Sequence, residues 1–203
     1  MSALRACLLN CSLKSGKERS STDRLLDEVA AELRGHGVAT TDAIRVVDHD
    51  VRPGVTSDEG DGDDWPAIRQ AIVTSDIVVL GTPIWMGQPS SVAKRVLERL
   101  DAFLSETDDG GRMPSYGRVA LVAVVGNEDG AHHVSAELFQ ALNDVGFTIP
   151  ANGMTYWVGE AMQTTDYVEL PSTPEKTASA TSMAVRNGVH LARLLAAHEY
   201  PGG

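Results

Sequence analysis

Three short apolar runs, at residues 4–9, 77–80 and 119–125, divide the chain. Runs of this length without polar alternation are the signature of strands covered on both faces of a parallel sheet. A weaker, partly alternating run at 38–47 predicts an edge strand, and a last short strand is expected near 147–149 or 155–158. Between the runs the apolar period changes to that of a helix. Leu26, Val29, Ala30 and Leu33 mark a first helix, stopped by Gly35 and Gly37. Residues 65–73 predict a short second. Val92, Val96, Leu100, Phe103 and Leu104 mark a third, started by Pro89-Ser90-Ser91. Val134, Leu138, Ala141, Leu142 and Val145 mark a fourth, ended at Gly146, and Val185, Val189, Ala192 and Leu195 mark a fifth.

Strand and helix alternate throughout. Right-handed crossovers turn that alternation into an α/β fold with a doubly wound, five-stranded parallel sheet. The expected strand order is 2-1-3-4-5, which opens a ligand crevice between strands one and three at their carboxyl ends. Two loops are longer than such a sheet needs. Residues 49–64 are rich in Gly and Asp and are expected to be solvated. Residues 160–182 are polar, contain Pro171 and Pro174, and are placed to cover the crevice or a neighbouring subunit.

Composition narrows the picture. The 203 residues suit one domain, 1–203, and 42% are apolar, as in globular chains. The formal net charge of −11 argues against nucleic acid or an anionic membrane as partner, since both require a basic face. No signal peptide and no membrane span are expected, because 4–9 is too short for either. Cys7 and Cys11 are the only cysteines. Four residues apart on extended chain, their Cα atoms lie ~13 Å from each other, too far for a disulfide, and a reducing cytoplasm is the expected setting.

Chemistry concentrates in the loops after strands one, three and four, which this topology brings together. The first, residues 10–22, offers Ser12, Ser20, Ser21 and Thr22 with Lys14, Lys17 and Arg19 nearby, and leads into a helix N-terminus. Such a place suits a phosphate, although the glycine spacings of nucleotide-binding loops are absent. The second, Gly-Thr-Pro-Ile-Trp-Met-Gly-Gln-Pro-Ser-Ser from Gly81, sets Trp85 and Met86 where they cannot easily reach the core, as a wall for a flat apolar ligand. The third, Gly-Asn-Glu-Asp-Gly-Ala-His-His from Gly126, offers backbone groups to a heterocycle edge. His132 and His133 are adjacent and diverge on a helix, so no metal site is assigned. Together the loops describe a site for a phosphorylated planar heterocycle.

At these residues the chain resembles the flavodoxin-like superfamily, specifically the NADPH-dependent FMN reductases and NAD(P)H:quinone oxidoreductases. Ser12, Lys14 and Ser20 to Thr22 match the family's first-loop pattern, with lysine for arginine at Lys14 and Cys11 where the family has glycine. Thr82, Pro83, Trp85, Gly87, Pro89, Ser90 and Lys94 match its second. The resemblance implies that Ser12, Lys14, Ser20, Ser21 and Thr22 hold the phosphate of FMN. It implies that Thr82, Pro83, Ile84, Trp85, Met86 and Gly87 flank the isoalloxazine, and that Gly126, Asn127, Glu128, Asp129 and Gly130 contact its pyrimidine side. It further implies a cytoplasmic homodimer or homotetramer that passes hydride from NAD(P)H through FMN to a quinone, flavin or similar small-molecule acceptor. No side chain is required as a catalytic acid or base.

Two rivals compete with that expectation. A flavodoxin-like electron carrier would use the acidity to dock basic partners and would show almost no NAD(P)H turnover. A low-molecular-weight phosphatase would need a cysteine nucleophile with an arginine six residues on. After Cys11 that position is Lys17, which lacks the bidentate fork.

Overall fold

In the computed structural model, which describes residues 3–16, 18–161 and 163–202, the apolar runs become the central strands. Lys17, in the first loop, lies outside the described residues. The elements are β1 (Arg5–Asn10), α1 (Ser21–Gly35), β2 (Ala39–Thr40), β3 (Ile44–Arg45), α2 (Trp65–Val73), β4 (Ile77–Trp85), β5 (Gln88–Pro89), α3 (Ser91–Leu100), β6 (Val119–Gly126), α4 (Ala131–Asp144), β7 (Met154–Val158) and α5 (Glu175–Ala197). The sheet path is β2-β1-β4-β6-β7, every neighbouring pair on it parallel. Counted along its principal strands this is the expected order 2-1-3-4-5.

Side chains alternate across the sheet, which explains why its strands read as unbroken apolar runs. Ala6 and Leu8 of β1, Ile77 and Val79 of β4, and Val119, Leu121, Ala123 and Val125 of β6 face a core shared with α1 and α5. Cys7 and Leu9, Val78 and Leu80, and Ala120, Val122 and Val124 face the opposite core, built with α2, α3 and α4. Both faces are apolar, so period two is invisible in the sequence.

Three elements differ from the expectation. The edge strand at 38–47 is two short strands, β2 and β3, both paired to β1. β4 runs past its apolar stretch into Trp85 and turns back as the β4–β5 hairpin. α5 begins at Glu175, so the last part of the long polar loop, from 175 on, is helix. Of the two regions suggested for the last strand, β7 is the second, and 147–149 contributes only an isolated bridge from Thr148 to Val119.

The loop at 49–64 is not simply solvated. The side chains of Arg99 of α3 and Asp63 are both withdrawn from solvent and form an ion pair at 2.7 Å. Arg99 also donates from Nε to the Thr56 carbonyl at 3.1 Å and from Nη1 to the Arg52 carbonyl at 2.9 Å. Burial alone pushes the Asp63 carboxyl up. Hydrogen bonds from Arg99 and from the Glu59, Trp65 and Arg52 amides outweigh it and hold the pKa at about 2. Among the described residues no helix is long and apolar enough to cross a membrane.

Candidate functional site

β1, β4 and β6 are parallel neighbours, so the loops at their carboxyl ends meet, and a cavity of about 260 Å³ opens among them. The first loop and the start of α1 supply Ser12, Leu13, Lys14, Ser20, Ser21 and Thr22. β4 supplies Pro83, Ile84 and Trp85; the end of β6 and its loop supply Val125, Gly126, Asn127 and Glu128; Asp166 closes one side. A larger cavity of about 820 Å³ includes Arg5, Asp76 and Arg118, which flank the amino-terminal ends of β1, β4 and β6. Two of its arginines are already paired, Arg69 with Glu106 and Arg112 with Asp108 and Glu199.

The hydroxyls at the phosphate end are not equivalent. Ser20 caps α1: its Oγ accepts from the Asp23 amide at 3.1 Å, and the Asp23 carboxylate accepts from the Ser20 amide at 2.7 Å, closing a capping box. Ser20 Oγ also donates to Asp23 Oδ2 at 3.0 Å, so this hydroxyl is fully engaged. Ser21 Oγ accepts from the Val168 amide at 3.2 Å, which leaves its proton free to donate elsewhere. Thr22 is buried, lines the cavity, and has no hydrogen-bond partner for its hydroxyl among the described residues. The Ser21 and Thr22 amides lie in the first turn, where no intrahelical acceptor exists. Ser12 is buried, and its hydroxyl makes only a long 3.4 Å contact to the Lys14 carbonyl.

The opposite end is apolar and half open. Trp85 is 51% exposed beside buried Ile84. The hairpin turns on Met86 and Gly87 with φ of 52° and 73°, so both residues sit in the left-handed region, as a two-residue turn between twisted strands demands. Met86 is a non-glycine residue there and carries strain of roughly 1–2 kcal/mol. Glu128 holds the turn: its carboxylate accepts from the Met86 amide at 3.0 Å and from the Gly87 amide at 3.2 Å. Gly130 completes the contact, since a Cβ there would come within 3.0 Å of the Gly87 Cα. Replacing Glu128 by Ala is expected to speed hydrogen exchange at the Met86 and Gly87 amides about tenfold or more, and unchanged exchange would show that the hairpin holds itself.

Thr82, Met86, Gly87, Asp129 and Gly130 are not among the residues lining the cavity. Thr82 is buried, and its Oγ1 accepts from the Ser90 amide at the start of α3. Met86 is 89% exposed and Asp129 is exposed, while Gly87 and Gly130 pack on each other. Two contributors were not singled out from the sequence. Asp166 accepts from Asn127 Nδ2 at 2.7 Å on the cavity wall. It leads a strap fixed over α1 by buried Tyr167, whose hydroxyl donates to Glu28, and by Arg24, which donates to the Tyr167 and Leu170 carbonyls. Arg45 braces the first loop from β3.

Cys11 is fully buried, and burial pushes its thiol well above the ordinary range; the Cys7 thiol is pushed up to about 12 by the same cause. Neither buried thiol lies open to a substrate, and burial disfavours the thiolate that the phosphatase reading needs.

A family model of NADPH-dependent FMN reductases matches residues 4–163. The chain belongs to the NADPH-dependent FMN reductase family. FMN and NADPH are the cofactor and reductant of that family, in agreement with what the resemblance implied. The 8-demethyl-8-aminoriboflavin-5'-phosphate synthase of Streptomyces davaonensis is 33% identical over an alignment of 203 positions that covers 95% of this chain and 79% of that protein. A divalent metal cation transporter, MntH, of Mycobacterium bovis is 38% identical over 201 residues; the match takes 96% of this chain but spans only 29% of the transporter. Among solved structures, RosB with a bound 8-demethyl-8-formylriboflavin-5'-phosphate intermediate superposes with a TM-score of 0.89 at 33% identity, covering 98% of this chain and 82% of that one. The apo NADH:FMN oxidoreductase EMOB shares the fold, with a TM-score of 0.67 at 16% identity over 95% of this chain and 90% of that one.

Proposed function

We propose that the chain, as a single FMN-binding domain, is an FMN-dependent NAD(P)H oxidoreductase that delivers reducing equivalents to a small-molecule acceptor such as a quinone or a free flavin. One observation carries the reading. The first turn of α1 with Ser21 and Thr22, whose hydroxyl protons have no acceptor among the described residues, and the Trp85 wall with Gly126 to Glu128 line the same cavity. The residues present fit the group. Ser12, Ser21, Thr22 and the α1 amides would hold the phosphate, Lys14 and Ser20 would complete its surroundings, and Pro83, Ile84, Trp85, Gly126, Asn127 and Glu128 would border the ring. Bound FMN supplies the two-electron redox centre, and the protein supplies binding and exclusion of water. Trp85 and Ile84 shield the ring end, Glu128 fixes the hairpin that carries Trp85, and no side chain is assigned as a catalytic acid or base. A homodimer or homotetramer in the cytoplasm remains the expected setting.

The test is a titration followed by turnover. Protein reconstituted with FMN should be yellow and should oxidise NAD(P)H steadily when a quinone is supplied. A protein that holds FMN but turns over almost nothing counts against the reductase reading and favours an electron carrier. A protein that never takes up FMN removes both readings.

The RosB likeness supports a second reading, in which the bound flavin is itself the substrate, because the flavin phosphate in that structure is an intermediate. Mass spectrometry of the flavin recovered after turnover separates the two. Unaltered FMN supports the cofactor role, and a flavin changed on its ring supports the substrate role.

A further inference from the structure

We infer that Arg45 sets the selectivity for a 5'-phosphorylated flavin over its unphosphorylated form, although Arg45 itself does not line the cavity. The inference rests on the flavin reading above and states which part of the ligand Arg45 reads, and how.

The phosphate end contains an electrostatic conflict. Asp23 is the third residue of α1, in the same first turn whose amides would meet the phosphate. Left unpaired, its carboxylate would oppose the positive helix end and repel a phosphate group. The structure engages both of its oxygens. Asn10 Nδ2 donates to Oδ1, and Arg45 Nη2 donates to Oδ2, the oxygen that also accepts from the Ser20 amide and hydroxyl.

The same guanidinium closes the loop. Arg45 Nη1 donates to the Lys14 carbonyl at 2.8 Å and to the Glu18 carbonyl at 3.0 Å, joining the two arms of the first loop. Its Nε lies 3.8 Å from Asp48 Oδ2, and Asp48 Oδ1 accepts from the Gly16 amide at 2.8 Å. Arg45 reaches this position because β3 pairs with the end of β1, with Arg45 opposite Asn10. Its side chain is only 16% exposed. The loop's own Lys14 is 43% exposed, with its Nζ 3.1 Å from Glu18 Oε1, so it is a less committed source of positive charge. Two carbonyls on Nη1 and a carboxylate on Nη2 match the fixed planar fork of a guanidinium, whereas the three donors of an ammonium radiate from a single atom and do not reproduce that spread.

Arg45 is therefore a positioning residue with two effects, neutralising Asp23 and holding the loop around the phosphate. Neither effect reaches the ring end. The test measures affinity for FMN and for riboflavin by quenching of flavin fluorescence, in the wild type and in R45M, R45K and R45M/D23N, with urea melts to confirm folding. The wild type should prefer FMN. R45M should weaken FMN about 30-fold while leaving riboflavin within about twofold, and R45K should lose nearly as much. Removing the stranded carboxylate in R45M/D23N should restore about fivefold of the lost FMN affinity, a recovery that purely mechanical support of the loop does not give. Equal weakening of FMN and riboflavin in R45M and R45K, or unchanged FMN affinity, overturns the inference while the flavin reading stands. A wild type that binds neither flavin overturns the flavin reading, and the inference falls with it.

Discussion

Replacing Arg99 by Met is expected to cost about 3–5 kcal/mol of stability. The Arg99 and Asp63 side chains are both withdrawn from solvent. The guanidinium donates to Asp63 and to the Thr56 and Arg52 carbonyls, and it lies over the Trp65 ring at 5.6 Å from the centroid. Methionine fills similar volume but leaves a buried carboxylate without its counter-ion and two carbonyls without a donor. The double variant R99M/D63N should be markedly more stable than R99M alone, because the stranded charge is gone. Urea melts of the three proteins read both effects, and a loss below about 1 kcal/mol in R99M would show that the loop stands without the pair. The pH dependence follows from the depressed Asp63 carboxyl, whose ordinary value is 3.8 and whose folded value is about 2. A depressed pKa contributes stability that is fully present above the ordinary value and is lost as pH falls through the folded one. That contribution is on the order of 2 kcal/mol. Acid melts between about pH 4 and pH 2 should show it in the wild type, and D63N should lack it.

That ion pair marks where reading the chain as a string runs out. Gly- and Asp-rich residues at 49–64 look like a solvated turn, and nothing local says that one of the aspartates will meet an arginine on a helix 36 residues later. The same holds for Glu128, which serves amides 42 and 41 residues upstream, and for Arg45, which braces a loop 27 to 31 residues before it. Charged residues at such separations leave no periodic trace. The fold was legible for the opposite reason. Strands buried on both faces must be apolar throughout, and helices that cover them must repeat at 3.6, so each element carries its own signal. The site was legible as far as topology alone decides it. Parallel neighbours put the loops after β1, β4 and β6 at one end, and the cavity lies there. What each hydroxyl does was not legible, because the row Ser20-Ser21-Thr22 reads as three equal donors until the cap is drawn.

Drawing the cap separates the three into opposite experimental behaviours. Ser20 closes α1 through Asp23, so S20A should lower stability by about 1 kcal/mol. Its hydroxyl is already committed at both ends, so its direct effect on FMN affinity should be small. Ser21 and Thr22 should act mainly on the ligand. Ser21 Oγ receives the Val168 amide and has its proton to give, while Thr22 presents a hydroxyl without a partner among the described residues. Val in place of Thr22 keeps the shape and removes a polar group, which costs a folded helix little. Against a phosphate, each lost donor removes a charge-assisted hydrogen bond worth about 1.5–3 kcal/mol, so S21A/T22V should weaken FMN by roughly 100-fold or more. Riboflavin should bind this variant nearly as well as it binds the wild type, since the ring wall at Trp85 is untouched. Melts and flavin titrations on the two variants therefore differ: S20A loses stability and keeps its ligand, whereas S21A/T22V loses its ligand and, through the Val168 amide that Ser21 no longer accepts from, some stability as well. If S20A loses FMN as severely as S21A/T22V does, the phosphate is held by the cap itself and the division of labour drawn from these hydrogen bonds is wrong.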